Sequence, residues 1–168
     1  MSYAANVIRA AKQNRGAVMS MDLQEVESQP GYLRVVVSGA FDVHFAIDLT
    51  PRIFDACATH RASKLLIDGR TVTGTMTLTE RYMYADNFAN QYTARRIAGS
   101  FRRLQVAVVG SHEIVDPLRF GEKILTMRGM HAKVLTDFDR ALTWLGTAPP
   151  PDDDTELPII SRDRSRMP

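Results

Sequence analysis

The feature that most constrains this chain is a regular alternation of short apolar runs and helical periodicity, introduced by a hairpin. Residues 17–27 and 32–38 are rich in strand formers, and Gln29-Pro30-Gly31 between them is a turn signal. Thr50-Pro51 has the form of a helix start, with Thr as cap and Pro at the first helical position, and Ile53, Phe54, Cys57 and Ala58 then share one face. Residues 64–68 (KLLID) predict a buried strand. Thr77-Leu78-Thr79-Glu80 matches a capping box, and Leu78, Tyr82, Ala85, Ala89 and Tyr92 follow at helical spacing up to Gly99. Residues 104–109 (LQVAVV) predict another strand, stopped by Gly110. Asp116-Pro117 opens a helix with Phe120, Ile124 and Met127 on its apolar face, closed by Gly129. Residues 132–135 form a strand. Asp137 then caps a last helix that turns Phe138, Ala141, Leu142 and Leu145 inward before Gly146.

The predicted order is β-β-α-β-α-β-α-β-α. Such a pattern gives an α/β fold with a mixed, mainly parallel sheet of four to five strands flanked by helices. Short apolar strands suit a sheet covered on both faces. The 168 residues suffice for one domain. Its expected limits are 17–147, preceded by an extension over 1–16 and followed by a flexible tail over 148–168. Within the extension, residues 3–14 have a short helical pattern with Val7, Ile8 and Ala11 on one side, and Met19 and Met21 are alternative starts. The tail opens with Pro149-Pro150-Pro151 and Asp152-Asp153-Asp154, a composition that resists compact folding.

Charge excludes less than it first suggests. The net charge of +2 combines a tail of −2 with a body of +4. Arg95-Arg96 and Arg102-Arg103 make the one dense basic cluster, without the broad basic face and interleaved aromatics that nucleic-acid binding calls for, so nucleic acid is disfavoured as a partner. The single cysteine, Cys57, rules out an intrachain disulfide framework and lies on the inward face of its helix. No apolar run has the length of a membrane span and no secretory signal is evident, so a cytoplasmic protein is expected.

Phosphate-loop, dinucleotide, zinc-protease and nucleophile-elbow motifs are missing. His44, His60, His112 and His131 are scattered, so neither a metal nor a cofactor is expected. The chemistry-bearing stretch is 68–77. Asp68 ends a strand, and residues beyond the carboxyl ends of strands are where α/β sheets collect ligands. Arg70 is a candidate anion ligand beside a helix N-terminus. Gly69 and Gly74 permit unusual backbone angles, and Thr71, Thr73, Thr75 and Thr77 supply hydroxyls. The candidate ligand or partner contacts are therefore Asp68, Arg70, Thr73, Gly74, Thr75 and Thr77. The alternative is that Asp68 and the threonines only cap the turn and helix.

Residues 35–39 (VVVSG), KLLID followed by Gly69 to Gly74, AVVG at 107–110, Arg128-Gly129, and Thr136-Asp137 with Ala141-Leu142 and Trp144-Leu145 together resemble the STAS domains of anti-sigma-factor antagonists. The divergent SpoIIAA-like branch, described alongside SEC14-like lipid-binding domains, is more similar still. The resemblance spans roughly 31–146. It implies a mixed sheet flanked by helices and a non-enzymatic role in regulation or ligand binding. Regulated antagonists carry an Asp-Ser pair, phosphorylated by a kinase, before the second main helix; here the stretch reads Val72-Thr73-Gly74-Thr75, leaving Thr73 and Thr75 as the hydroxyls that stand in its place.

Three functions follow as expectations. The first is a regulatory protein-interaction module using the 69–77 segment, with an unidentified protein partner. The second is a binder of a small lipid-like or anionic ligand, drawing on Phe41, Phe45, Tyr82, Tyr84 and Phe88. The third, least favoured, is an enzyme using Asp42, His44 or Asp68. A homodimer is also expected.

Overall fold

A computed structural model describes residues 20–101 and 103–147. The N-terminal helical pattern, Met19, Arg102 and the 148–168 tail lie outside the described residues. The elements run β1 (Asp22–Gln29), β2 (Tyr32–Ala40), α1 (Val43–Thr59), β3 (Lys64–Thr73), α2 (Leu78–Ile97), β4 (Gln105–Gly110), α3 (Phe120–Met127), β5 (His131–Leu135) and α4 (Phe138–Leu145). The expected order and fold class are met. One five-stranded sheet, β1-β2-β3-β4-β5, pairs β1 with β2 antiparallel and the remaining neighbours parallel.

Side-chain alternation divides the sheet into two unlike faces. Leu33, Val35, Val37, Leu65, Ile67 and Val106 point to one face and are buried beneath α1, α2 and Leu125 of α3. An aromatic cluster fills this layer, with Phe54 and Phe88 ring centroids 4.7 Å apart and Phe101 5.6 Å from Tyr92. Cys57 is fully buried here, as its helical position predicted, and desolvation pushes its thiol up to about 12. Leu66, Ala107, Val109 and Leu135 point to the opposite face, where Ala141 and Leu145 of α4 cover them. Gln105 Nε2 donates to the Trp144 carbonyl at 3.0 Å, fixing α4 against β4.

Local chemistry explains most of the element ends. Thr77 and Glu80 form the expected capping box: the Thr77 hydroxyl accepts from Glu80 N–H, and the Glu80 carboxylate accepts from Thr77 N–H at 2.8 Å. Asp137 caps α4 by accepting from Arg140 N–H at 2.9 Å, and Gly146 ends it at a left-handed φ of 67°.

Four sequence expectations need correction. The first helix begins at Val43, not at Thr50-Pro51; Asp42 Oδ1 accepts from the N–H groups of His44 and Phe45, a cap that starts the helix and carries it through Pro51. Burial of Val43, Ala46 and Leu49 on that added length compensates for the donor that Pro51 lacks. The strand opened by KLLID continues to Thr73, so residues 69–73 are strand rather than loop. Asp116-Pro117 precedes α3 rather than opening it: Asp116 accepts from Leu118 and Phe120 N–H, and the helix starts at Phe120. Finally, Leu78, Tyr82 and Met127 have helical spacing but are exposed; Phe88 and Leu125 are buried in α2 and α3 instead.

Candidate functional site

Continuation of β3 splits the candidate residues between the α4 face of the sheet and its end. Asp68 lies in mid-strand, opposite Val36 of β2, and is only 3% exposed. A buried carboxylate requires compensation. Its Oδ2 accepts from Arg34 at 2.6 Å and from Arg70 at 2.8 Å, while Oδ1 accepts from Arg70 Nε at 2.8 Å. Burial alone raises the Asp68 pKa, but the hydrogen bonds from Arg70 and Arg34 outweigh it and hold the carboxyl at about 2. Arg34 also donates to Glu27 at 2.9 Å, which lowers the Glu27 pKa.

A β-bulge makes the second half of this clamp. Between Asp68 and Thr71, β3 takes three steps while β2 takes two between Val36 and Ser38. The extra residue re-aims the Arg70 side chain back over Asp68, with its guanidinium 4.2 Å from the Phe138 ring centroid of α4. Arg70 therefore does not stand beside the α2 N-terminus waiting for an anion. Its fork is already occupied by Asp68, on the α4 side of the sheet.

The remaining candidates gather where β3 ends. Thr73 accepts from Phe41 N–H through its carbonyl at 2.8 Å, which joins the ends of β2 and β3. Gly74 adopts a φ of +94°, a left-handed conformation unfavourable to other residues, and reverses the chain towards α2. Thr73, Gly74, Thr75 and Thr77 are exposed. The Thr77 hydroxyl is engaged by Glu80, so capping accounts for it; Thr73 and Thr75 display their side chains at the surface. Exposed Leu78 and Tyr82 continue this surface along the first turns of α2, and Phe45 is exposed near the start of α1.

An apolar cavity of about 130 Å³ lies between the sheet and α2, at the carboxyl ends of β2, β3 and β4. Val37, Ile67 and Val72 form its floor, with Ala85 and Phe88 of α2 and Leu125 of α3 opposite. Met76 of the 74–77 loop also lines it. Of the five aromatic residues expected to serve a small ligand, Phe41, Tyr84 and Phe88 line this cavity, whereas Phe45 and Tyr82 are exposed. Burial pushes the Tyr84 phenol up to about 12, against the opposing effect of a hydrogen bond with Thr50.

Asp42, His44 and Asp68 do not form a hydrogen-bonded group among the described residues. Asp42 is used as the α1 cap, His44 is exposed, and Asp68 is bound by two arginines. Nor do the described residues contain a cluster of three His, Cys, Asp or Glu side chains that could hold a metal. The basic cluster is also partly consumed: Arg95 pairs with Asp55 at 2.9 Å and donates to the Pro51 carbonyl. No helix among the described residues is long and apolar enough to cross a membrane.

No protein-family model and no curated protein matches the chain. Among solved structures, it is similar to an anti-sigma factor antagonist from Mycobacterium paratuberculosis, at 21% identity and a TM-score of 0.44, covering 76% of this chain and 95% of that one.

Proposed function

We propose that the protein is a non-catalytic regulatory module that binds a protein partner through the 74–77 loop and the adjoining first turns of α2. The observation that carries this reading is the division of roles at 68–77. Asp68, Arg70 and Thr77 are spent on holding the fold, whereas Thr73 and Thr75 stand exposed on either side of a glycine that sets the loop conformation. Leu78 and Tyr82, 63% and 51% exposed, add apolar area next to those hydroxyls. An aromatic ring beside polar groups is a common composition for the centre of a protein interface.

Phosphorylation of Thr73 or Thr75 is the switch this surface suits. A phosphate adds about −1.5 to −2 charge and three strong acceptors close to the α2 N-terminus. The new charge changes what the loop can contact without disturbing the Asp68 cluster on the other side of the sheet.

Site-specific photo-crosslinking tests the reading. A benzophenone side chain placed at position 75, in cells that make the protein, should give a discrete crosslinked product. The same group at exposed Ser28, near the β1–β2 turn, is the control and should not give it. Products of equal yield from both positions, or none from position 75, would overturn the proposal.

A further inference from the structure

We propose that the cavity beneath the 74–77 loop is a binding site for a small uncharged apolar molecule, about the size of one six-membered ring with a short substituent. Its volume is about 130 Å³. An apolar cavity near 150 Å³ stays dry and admits benzene, so the present one holds a single ring or a short alkyl segment, not an entire lipid. Val37, Ile67, Val72, Ala85, Phe88 and Leu125 offer such a molecule dispersion contacts on both sides.

Charge at the rim selects against an anionic ligand. Four charged residues reach the lining: Arg81, Asp116, Arg119 and Glu122. Arg81 donates to the Ile114 carbonyl at 2.5 Å, and the Asp116 carboxyl is held below its ordinary pKa by the Leu118 and Phe120 N–H groups, with a smaller contribution from the Arg81 charge. Asp116 in turn caps the approach to α3. Arg119 lies 3.8 Å from Glu122, whose other oxygen accepts from Val134 N–H at 2.8 Å. Two cations thus face two anions, and a carboxylate arriving at the mouth gains no net attraction.

Position also gives the occupant an effect. Met76 lines the cavity from the same short loop that displays Thr75, and Gly69 and Val72 line it from the bulged end of β3. A molecule that fits one arrangement of Met76 better than another shifts the loop towards that arrangement. This coupling rests on the partner-binding reading of the loop; the cavity's capacity to bind does not.

The test is a titration of the full chain, labelled on Ile, Leu, Val and Met methyl groups, with toluene and separately with hexanoate. Toluene should shift the Ile67, Val72, Leu125 and Met76 methyl signals saturably, and should raise Tm by roughly 5 °C at ten times its Kd. Hexanoate should bind at least tenfold more weakly. Ala85→Leu, which fills the cavity, should weaken toluene binding at least tenfold; should that variant not fold, Leu125→Ala should enlarge the site and improve binding of p-xylene relative to toluene. The proposal is overturned if cavity methyl signals do not move up to the solubility limit of toluene, if hexanoate binds more tightly, or if Ala85→Leu binds toluene like the parent. It is equally overturned if toluene binds only to a full-length chain carrying Val7→Asp and Ile8→Asp, since the cavity's occupant is then the chain's own N-terminal segment. A Met76 signal and loop amides that stay fixed while Ile67 and Val72 move would refute the coupling. None of these readouts requires a protein partner, so their failure is separable from failure of the interaction reading.

Discussion

The two faces of the sheet are held by different physics. On one, three helices meet an apolar strand surface, and the contact is dominated by Phe54, Phe88, Tyr92 and Phe101. On the other, a single eight-residue helix covers Leu66, Ala107, Val109 and Leu135, and a charged cluster of Glu27, Arg34, Asp68 and Arg70 occupies the neighbouring strands. Hydrophobic burial is nondirectional and tolerates adjustment. The charged cluster is not tolerant: Asp68 is buried only because two guanidinium groups reach it with good geometry. The comparison separates what holds the fold from what is available for contact. Charged residues that look functional in sequence are structural here, and the uncommitted groups stand at the end of the sheet, belonging to neither face.

Perturbing the faces separately should expose this contrast. Phe54→Ala removes the ring that touches Phe88, Tyr92 and Phe101, and should destabilise the protein by about 3–5 kcal/mol in urea unfolding. This loss should be nearly independent of pH. A loss that varied strongly between pH 7 and pH 4 would show that the helical face is not held by apolar packing alone.

Asp68→Asn should cost about 2 kcal/mol at pH 7, less than a wholly buried pair would, because Arg70 is nearly half exposed and Arg34 retains Glu27. Its signature is the pH dependence. The folded-state pKa of Asp68, about 2, is below its ordinary value of 3.8. The folded protein therefore holds the ionised form preferentially, and the contribution is complete above pH 4 and lost as pH falls from 4 towards 2. Wild type and Asp68→Asn should converge over that interval. A gap that stays constant down to pH 2 would mean that shape, not charge, accounts for the residue.

Smaller effects are expected at the end of the sheet. Gly74→Ala should cost about 1–2 kcal/mol through its φ of +94°, since a Cβ there has room, with Phe41 no nearer than 3.9 Å. Thr77→Ala should cost about 1 kcal/mol by removing the α2 cap. Thr75→Val should change stability by less than about 0.5 kcal/mol, as expected for an exposed side chain. Equal losses at positions 75 and 77 would break the distinction between a structural threonine and a displayed one.

The helical face was the more legible in sequence. The Thr77–Glu80 box and the inward Cys57 are encoded within a few residues, where local chemistry decides the outcome, and on the other face only the Asp137 cap is as local. Thr50-Pro51 misled because it has the same form as a helix start; Asp42 had the stronger cap eight residues earlier. Gly69-Arg70 reads as a turn because glycine follows an apolar run, and only pairing with β2 shows that it is a bulge inside a longer strand. The Arg34–Asp68 contact joins residues 34 apart, and no local periodicity announces it. It appears once the β2–β3 register places Val36 opposite Asp68. Likewise, the cavity is assembled from four strands and three helices, so its aromatic supply was visible in the sequence but its shape was not.

The most direct test of the division of roles is affinity capture of the crosslinked partner by three versions of the full chain: wild type, Thr73→Glu with Thr75→Glu, and Arg70→Gln. Arg70→Gln loosens the charged face, while the paired glutamates alter only the exposed loop surface. The account predicts that Arg70→Gln retains the partner within about twofold at a temperature where it remains folded, and that the double glutamate variant loses at least tenfold, which is about 1.4 kcal/mol. Loss of the partner by Arg70→Gln with full retention by the double variant would contradict it, placing the contact on the charged face of the sheet.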